Sequence, residues 1–252
     1  MSTTAVPTAP PPEQPTGGLS EAQRIINVFV APSKTFNDIR RKSSWWAPWL
    51  LMAVMSYCMV ATVSAKVGWE QVNENQLKMR PRQAQQLESA PPAQRDRQMA
   101  MMTTMTKGIS YAFPIISLLV FAIIALLMMA TMNFGAGAQT RFGQCLAVTI
   151  YAGLPGLIKS GLAILLLLLG VGVESFTFQN PIASNASVFA TVGTPLYAGL
   201  SALDVFNIWV LLLAGIGFSA ISGLKRSTTT AMVFGWYIFS TLISVGATAM
   251  FS

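Results

Sequence analysis

The sequence predicts an all-α fold: a polytopic membrane protein with a five-helix transmembrane bundle and short N-terminal interfacial helices. Three observations predict it. Hydrophobic residues make up 53% of the 252 and charged residues only 10%, against about 25% charged in an ordinary soluble domain. The charges cluster, since 12 of the 16 Lys and Arg residues precede residue 108 and long later stretches carry none. Five apolar segments recur, at about 46–67, 109–133, 144–173, 203–223 and 230–251. Each is long enough to cross a hydrocarbon core of about 30 Å at about 1.5 Å per helical residue. The net charge of +7 sits beside these segments and forms no basic stripe with interleaved aromatics, so the expected partner is the lipid bilayer and not nucleic acid.

Residues 1–19 are dominated by Thr, Ala, Pro and Gly. Such a segment buries too little apolar surface to offset the entropy of ordering, and a flexible Pro-rich tail is expected. No apolar run follows a basic start, so no cleaved secretory signal is expected either. Residues 20–45 form the interfacial region. Ser20 opens a helical stretch with Ile25, Ile26, Phe29 and Val30 on one side, and Pro32 ends it. Ser33 is placed to cap a second short helix, with Phe36 and Ile39 as its apolar edge and Lys34, Arg40, Arg41 and Lys42 as its basic one. Trp45, Trp46 and Trp49 follow, amphipathic anchors at headgroup level just where the first span begins.

Residues 46–252 make up the five-span membrane domain. After the first span, a polar stretch to about residue 108 mixes both charge signs and is broken at Pro81 and at Pro91-Pro92, which suggests short solvated helices. The second span has an almost unbroken apolar run over 115–130. The third is interrupted by Gly153, Pro155 and Gly156; proline removes a helix hydrogen bond and glycine loosens the backbone, so a kink or broken helix is expected. A second polar loop covers 172–200, and Lys225 and Arg226 separate the last two spans.

Orientation follows from Lys and Arg near span ends. With the N-terminus cytoplasmic, that side receives Arg24, Lys34, Arg40, Arg41, Lys42, Arg141, Lys225 and Arg226. The loop after the first span dissents with seven basic residues, partly balanced by four acidic ones. The expectation is a cytoplasmic N-terminus and an external C-terminus.

Catalytic chemistry is poorly supplied. Histidine is absent, which removes Ser-His and Cys-His catalysis and His metal ligands together. Asp204 is the only aspartate near a span, so a paired-aspartate site has no second member. No phosphate-binding loop, dinucleotide fingerprint or paired CxxC occurs. Lys159 and Ser160 are adjacent, and neighbours on a helix point about 100° apart, which does not suit a dyad. The 14 Met residues show no copper-ligand spacing. Cys58 and Cys145 lie in apolar segments and read as small packing residues. No enzyme, cofactor or metal site is expected.

The informative residue is Lys159, because a charge within a span costs at least about 2.5 to 3.5 kcal/mol on insertion and faces a partner or water. Asp204 and Asn207, at the outer end of the fourth span, are its candidate partners across the bundle. The polar site is read either as a cavity or substrate path, or as a hydrogen-bonded kink with a snorkelling lysine; the second is preferred. Small residues at four-residue spacing, Gly215, Ser219 and Gly223 and then Ser240, Ser244 and Thr248, suggest close helix packing, within the chain or in a homo-oligomer.

The stretch Val28-Phe29-Val30-Ala31-Pro32-Ser33-Lys34-Thr35-Phe36, then Ile39, a Trp-rich approach with Pro48 and five spans resembles the bacterial branch of the Yip (Ypt/Rab-interacting protein) membrane-domain family. There a proline, three residues, a phenylalanine and an aliphatic residue recur before the first span, here Pro32, Phe36 and Ile39. Phe142-Gly143-Gln144 leading to Tyr151 and Pro155 is a further likeness. The resemblance covers about residue 24 onward. It implies a five-helix bundle with a cytosolic N-terminus and a lumenal or external C-terminus. Eukaryotic relatives act in trafficking with prenylated Rab GTPases, but the acidic Asp-Leu-x-Gly-Pro-type stretch of those relatives is missing here, which speaks against a Rab-type partner. Two functions compete. One is a non-catalytic scaffold that organises the membrane or a membrane-protein complex; the other is a small-molecule transporter or channel subunit with a polar site at the broken third helix.

Overall fold

The computed structural model describes residues 18–251, so the expected Pro-rich tail lies almost wholly outside the described residues. Eleven α-helices run through them: α1 (Glu21–Val30), α2 (Pro32–Arg41), α3 (Trp46–Lys66), α4 (Trp69–Lys78), α5 (Pro81–Glu88), α6 (Pro92–Ala136), α7 (Phe142–Ala152), α8 (Pro155–Leu168), α9 (Pro195–Ser201), α10 (Val205–Ser222) and α11 (Arg226–Phe251). Five units are long and apolar enough to cross a membrane: α3, α6, α7 with α8, α10 and α11.

Local chemistry explains most of the boundaries. Ser20 and Gln23 form a reciprocal capping box at the start of α1. Pro32 does more than end α1: it occupies the first position of α2, where its missing N–H has no acceptor to lose. Ser33 therefore lies inside α2 and not at its cap, and its hydroxyl accepts from Arg226 of α11 at 3.3 Å. Gly137 and Gly223 end α6 and α10 with φ of 68° and 75°, the left-handed C-cap that glycine adopts without steric penalty.

The second span is the largest departure from the expected boundaries. Its helix starts at Pro92, not near residue 109, and runs 45 residues. At about 1.5 Å per residue this is about 67 Å, more than twice a hydrocarbon core. The first part of α6 is an arm outside the membrane. Asn73 of α4, fully buried, holds that arm by donating to Thr103 Oγ1 at 2.8 Å and accepting from Thr106 Oγ1 at 2.7 Å. The third span stops at Leu168, short of the expected 173, because Gly170 and Gly172 take φ of 78° and 76° and turn the chain away.

The membrane-spanning helices set two ends. One gathers α1, α2, the α6–α7 turn and the α10–α11 turn. The other gathers α4, α5, the arm of α6, segment 169–204 with α9, and the end of α11, whose Met250 carbonyl accepts from Arg82 of α5 at 2.9 Å. Two cores follow this division. Val28, Phe36 and Ile39 join Val148, Tyr151 and Phe218 in the larger one. Met59, Val63, Val72, Ala163, Leu167 and Phe176 form the smaller one, towards the opposite end. Between them the outward faces are apolar: Leu119 is 61% exposed, Ile123 58% and Leu242 64%. Such a belt would be costly in water and is at home in lipid.

α1 keeps half of its expected face, since Ile25 and Phe29 pack against the larger core. Arg24 and Val28, one turn apart, are its buried residues, while Ile26 and Val30 are turned out. The apolar edge of α2 enters the bundle, with Phe36 and Ile39 fully buried against it. Gly217 of α10 makes the close approach possible: a Cβ there would stand 2.9 Å from the Phe36 ring and 2.6 Å from Val148 Cγ1. The small-residue series splits in the same way. Gly215 meets Thr230 and its carbonyl accepts from Thr229 Oγ1 at 2.8 Å, whereas Ser219 donates to the Leu224 carbonyl and Gly223 caps the helix. Ser240 and Ser244 are exposed, and Thr248 is half-buried.

Candidate functional site

The break in the third span creates the setting for the intramembrane charge. α7 ends at Ala152, Gly153 and Leu154 form a tight turn, and α8 starts at Pro155, with Gly156 N–H donating to the Gly153 carbonyl at 2.9 Å. Pro155 cannot continue the α7 ladder but is well suited to the first position of the next helix. Four residues on, Lys159 projects toward the start of α10.

There Lys159 Nζ lies 2.9 Å from Asp204 Oδ2. The Lys159 side chain is 14% exposed and that of Asp204 is fully buried. Asp204 is also the N-cap of α10: its Oδ1 accepts the amides of Phe206 at 2.9 Å and Asn207 at 3.2 Å. Ser184 completes the arrangement by donating its hydroxyl to Asp204 Oδ2, and its carbonyl accepts the Val205 amide at 3.2 Å. One carboxylate thus clasps α8, α10 and the 169–204 segment. Every oxygen is partnered, the condition under which a buried ion pair offsets its desolvation cost.

Asn207 is not part of this pair. Its side-chain amide points to the Tyr237 hydroxyl at 3.3 Å, and that hydroxyl donates to the Ala202 carbonyl at 2.7 Å, which ties α11 to the same loop. Ser184 and Tyr237 were not singled out by the sequence. Ser184 sits in a Ser- and Asn-rich loop with no periodicity, so nothing marks it before the loop folds back on α10.

Beside the helix break a cavity of about 220 Å³ opens between α3, α6 and α8. Ser56, Ser110, Ser117 and Ser160 contribute hydroxyls to a lining that is otherwise Met, Phe, Pro, Val, Leu and Gly. Lys159 does not line it.

Of the family-like approach residues, Phe36 and Ile39 are core, and Pro48 is buried in the first turn of α3. The three tryptophans differ. Trp46 is 57% exposed. Trp45 and Trp49 pack edge to face at 6.4 Å, and Trp49 Nε1 donates to the Pro114 carbonyl inside α6 at 3.1 Å, making it a tie across the bundle.

A second charged cluster was hidden from the sequence. Arg24, 1% exposed, donates from Nε to Asp38 Oδ2 at 2.7 Å and from Nη1 to Glu21 Oε1 at 3.4 Å. Tyr151 of α7 donates its hydroxyl to Glu21 Oε2 at 2.7 Å, and Thr35 Oγ1 donates to the Arg24 carbonyl at 3.1 Å. Burial works to lower the Arg24 pKa; the Asp38 hydrogen bond and the Asp38 and Glu21 charges outweigh it and leave the guanidinium above its ordinary value. The signal available was weak: Glu21 and Arg24 at i, i+3, with Arg24 one turn before Val28. Among the described residues no group of three His, Cys, Asp or Glu could hold a metal, and both cysteines are free, Cys58 exposed and Cys145 buried.

The chain is similar to a Bacillus subtilis (strain 168) protein named "Membrane protein YknW", 26% identical over 243 residues that cover 95% of this chain and 93% of the relative. No solved structure matches. The Yip1 domain matches residues 26–250, from the middle of α1 to the last turn of α11, and on that extent the chain belongs to the Yip1 domain family.

Proposed function

We propose that this Yip1-family membrane protein is a non-catalytic scaffold, organising the membrane or a membrane-protein complex, with its N-terminus cytoplasmic and its C-terminus external in a bacterial inner membrane. The observation that carries the reading is the closed Lys159–Asp204–Ser184 clasp. A transport pathway needs its charged group to face water or substrate at some stage. Here the charge is consumed in joining α8, α10 and the 169–204 segment. The lack of histidine and, among the described residues, of an acidic cluster around Asp204 supports a non-catalytic role. The orientation rests on the end that carries α1 and α2, where eight basic residues stand against Glu21 and Asp38.

The cavity of about 220 Å³ beside the broken helix favours a second reading, a small-molecule transporter. Ser160, in its lining, decides between them. In a background without Cys58 and Cys145, Ser160→Cys is exposed to a membrane-impermeant thiol reagent from each side. The scaffold reading expects no labelling of the folded protein. Labelling from either side would establish a water path to the break and move transport ahead.

A further inference from the structure

We propose that the end of the bundle carrying α1 and α2 is a binding surface for the headgroups of anionic phospholipids in the leaflet it faces. Basic residues are common near span ends, but here the tertiary structure gathers them. Gln144 of α7 donates to the Arg40 carbonyl at 3.0 Å, which sets Arg141, the residue before α7, beside the end of α2. Arg226 reaches Ser33 at 3.3 Å, which sets Lys225 and Arg226 beside the start of α2 near Lys34. With Arg41 and Lys42 the surface holds seven basic side chains from three separate parts of the chain, all exposed.

The two acidic residues described at this end do not neutralise the surface. Glu21 is engaged by Arg24 and Tyr151, and Asp38 by Arg24, so both carboxylates are held in contacts within the chain, Asp38 buried and Glu21 27% exposed. Among the described residues none of the seven basic side chains is in an ion pair with a carboxylate. The depth fits headgroups as well. Trp46, 57% exposed, begins α3 four residues after Lys42, and Phe142, 37% exposed, follows Arg141. An indole and a phenyl ring turned outward beside basic residues mark the level where the apolar belt meets phosphate. Arginine suits such a ligand because its planar fork donates two hydrogen bonds to one phosphate. The surface requires only that the chain spans a membrane, and it is independent of whether the bundle scaffolds or transports.

The test uses the full chain, purified in a nonionic detergent with equal amounts of phosphatidylglycerol and phosphatidylcholine, and the retained lipids are quantified by mass spectrometry. Wild type is expected to retain phosphatidylglycerol preferentially, and high salt to erase the preference by screening. Combining Arg40→Gln, Arg41→Gln, Lys42→Gln and Arg141→Gln is expected to lower the preference at least about fivefold, the change worth one such contact. Lysine at the three arginine positions, with Lys42 kept, should retain it. Glutamine at Arg95, Arg97 and Lys107, at the opposite end, should leave it unchanged. No preference in wild type, equal loss in the opposite-end variant, or full displacement by inorganic phosphate alone would each overturn the assignment, the last in favour of a free-anion site.

Discussion

Asp204 carries two separate duties at single-residue scale. Its Oδ1 caps α10 and its Oδ2 neutralises Lys159. Asp204→Asn keeps an oxygen for the Phe206 and Asn207 amides but leaves Lys159 without a counter-charge, while Lys159→Met leaves the buried carboxylate hydrogen-bonded but without its counter-charge. Each is expected to cost about 3–5 kcal/mol, the penalty for stranding one partner of a buried pair. The double variant buries no charge and should recover most of that loss; detergent-denaturation midpoints measure the cycle, and simple additivity would mean that the two are not coupled. Arg24→Met strands Asp38 in the same way, and a similar loss is expected. The pH dependence can be given a sign. The folded-state pKa of Arg24 is raised, so its contribution is complete below the unfolded value and is lost only as pH rises through the folded one. Both lie far above neutrality. The stability difference between wild type and Arg24→Met should therefore stay constant between about pH 6 and 9, and a difference that collapses within that range would remove Arg24 as its source.

At the scale of elements, the question is what holds α1 and α2 on the bundle. Phe36 seated over Gly217 is the steric lock, and the Arg24–Asp38 pair with the Glu21–Tyr151 hydrogen bond is the polar one. Gly217→Ala improves helix propensity by up to about 1 kcal/mol but forces the Phe36 ring and Val148 to move, for which overpacking costs about 1–3 kcal/mol. Net destabilisation of the docked helices is expected. Limited trypsin digestion reads it directly, because cleavage after Arg24 requires a side chain that is 1% exposed in the docked state. Faster cleavage at Arg24 in Gly217→Ala is the expected result, and an unchanged rate would mean that the lock lies elsewhere. The family-like spacing of Pro32, Phe36 and Ile39 acquires a physical reason here. Pro32 starts α2, and Phe36 and Ile39 are the side chains that the helix delivers to α7 and α10.

Over the whole molecule, two ends of different character face opposite sides of an apolar belt. One is compact and strongly basic; the other is a larger cap in which both charge signs are mixed. The seven basic residues in the loop after the first span share their end with Glu70, Glu74, Glu88, Asp96 and Glu174, but acidic residues weigh little in setting orientation, so the proposed orientation is decided by accessibility. In a background without native cysteines, Gln98→Cys on the α6 arm should label with an impermeant reagent in intact cells. Ser227→Cys at the start of α11 should label only after permeabilisation. Labelling of both from the same side would overturn the two-ended arrangement, and the reverse pattern would invert the orientation.

The count of spans, the all-α class, the helix break at Gly153 and Pro155 and the short helices broken at Pro81 and Pro91-Pro92 were legible in the sequence. Each follows from chain-local physics: apolar length against membrane thickness, and proline or glycine against a helical ladder. The outer limit of α6 was not legible, because solvated helix and solvated loop have the same polar composition and the support comes from across the gap, where α4 packs on the arm and Asn73 bonds Thr103 and Thr106. Ile25 and Phe29 were placed on the packed face of α1 correctly, but Arg24 was not, because hydrophobicity alone sorts it to water and a charge is buried only where a partner from another element meets it. Apolar length along the chain sets the five membrane crossings, and proline and glycine set where the backbone yields. Which polar groups are consumed inside and which basic ones face outward is set only on folding, because apart from Glu21–Arg24 the pairs join residues 14 to 130 apart in the chain and follow no local pattern.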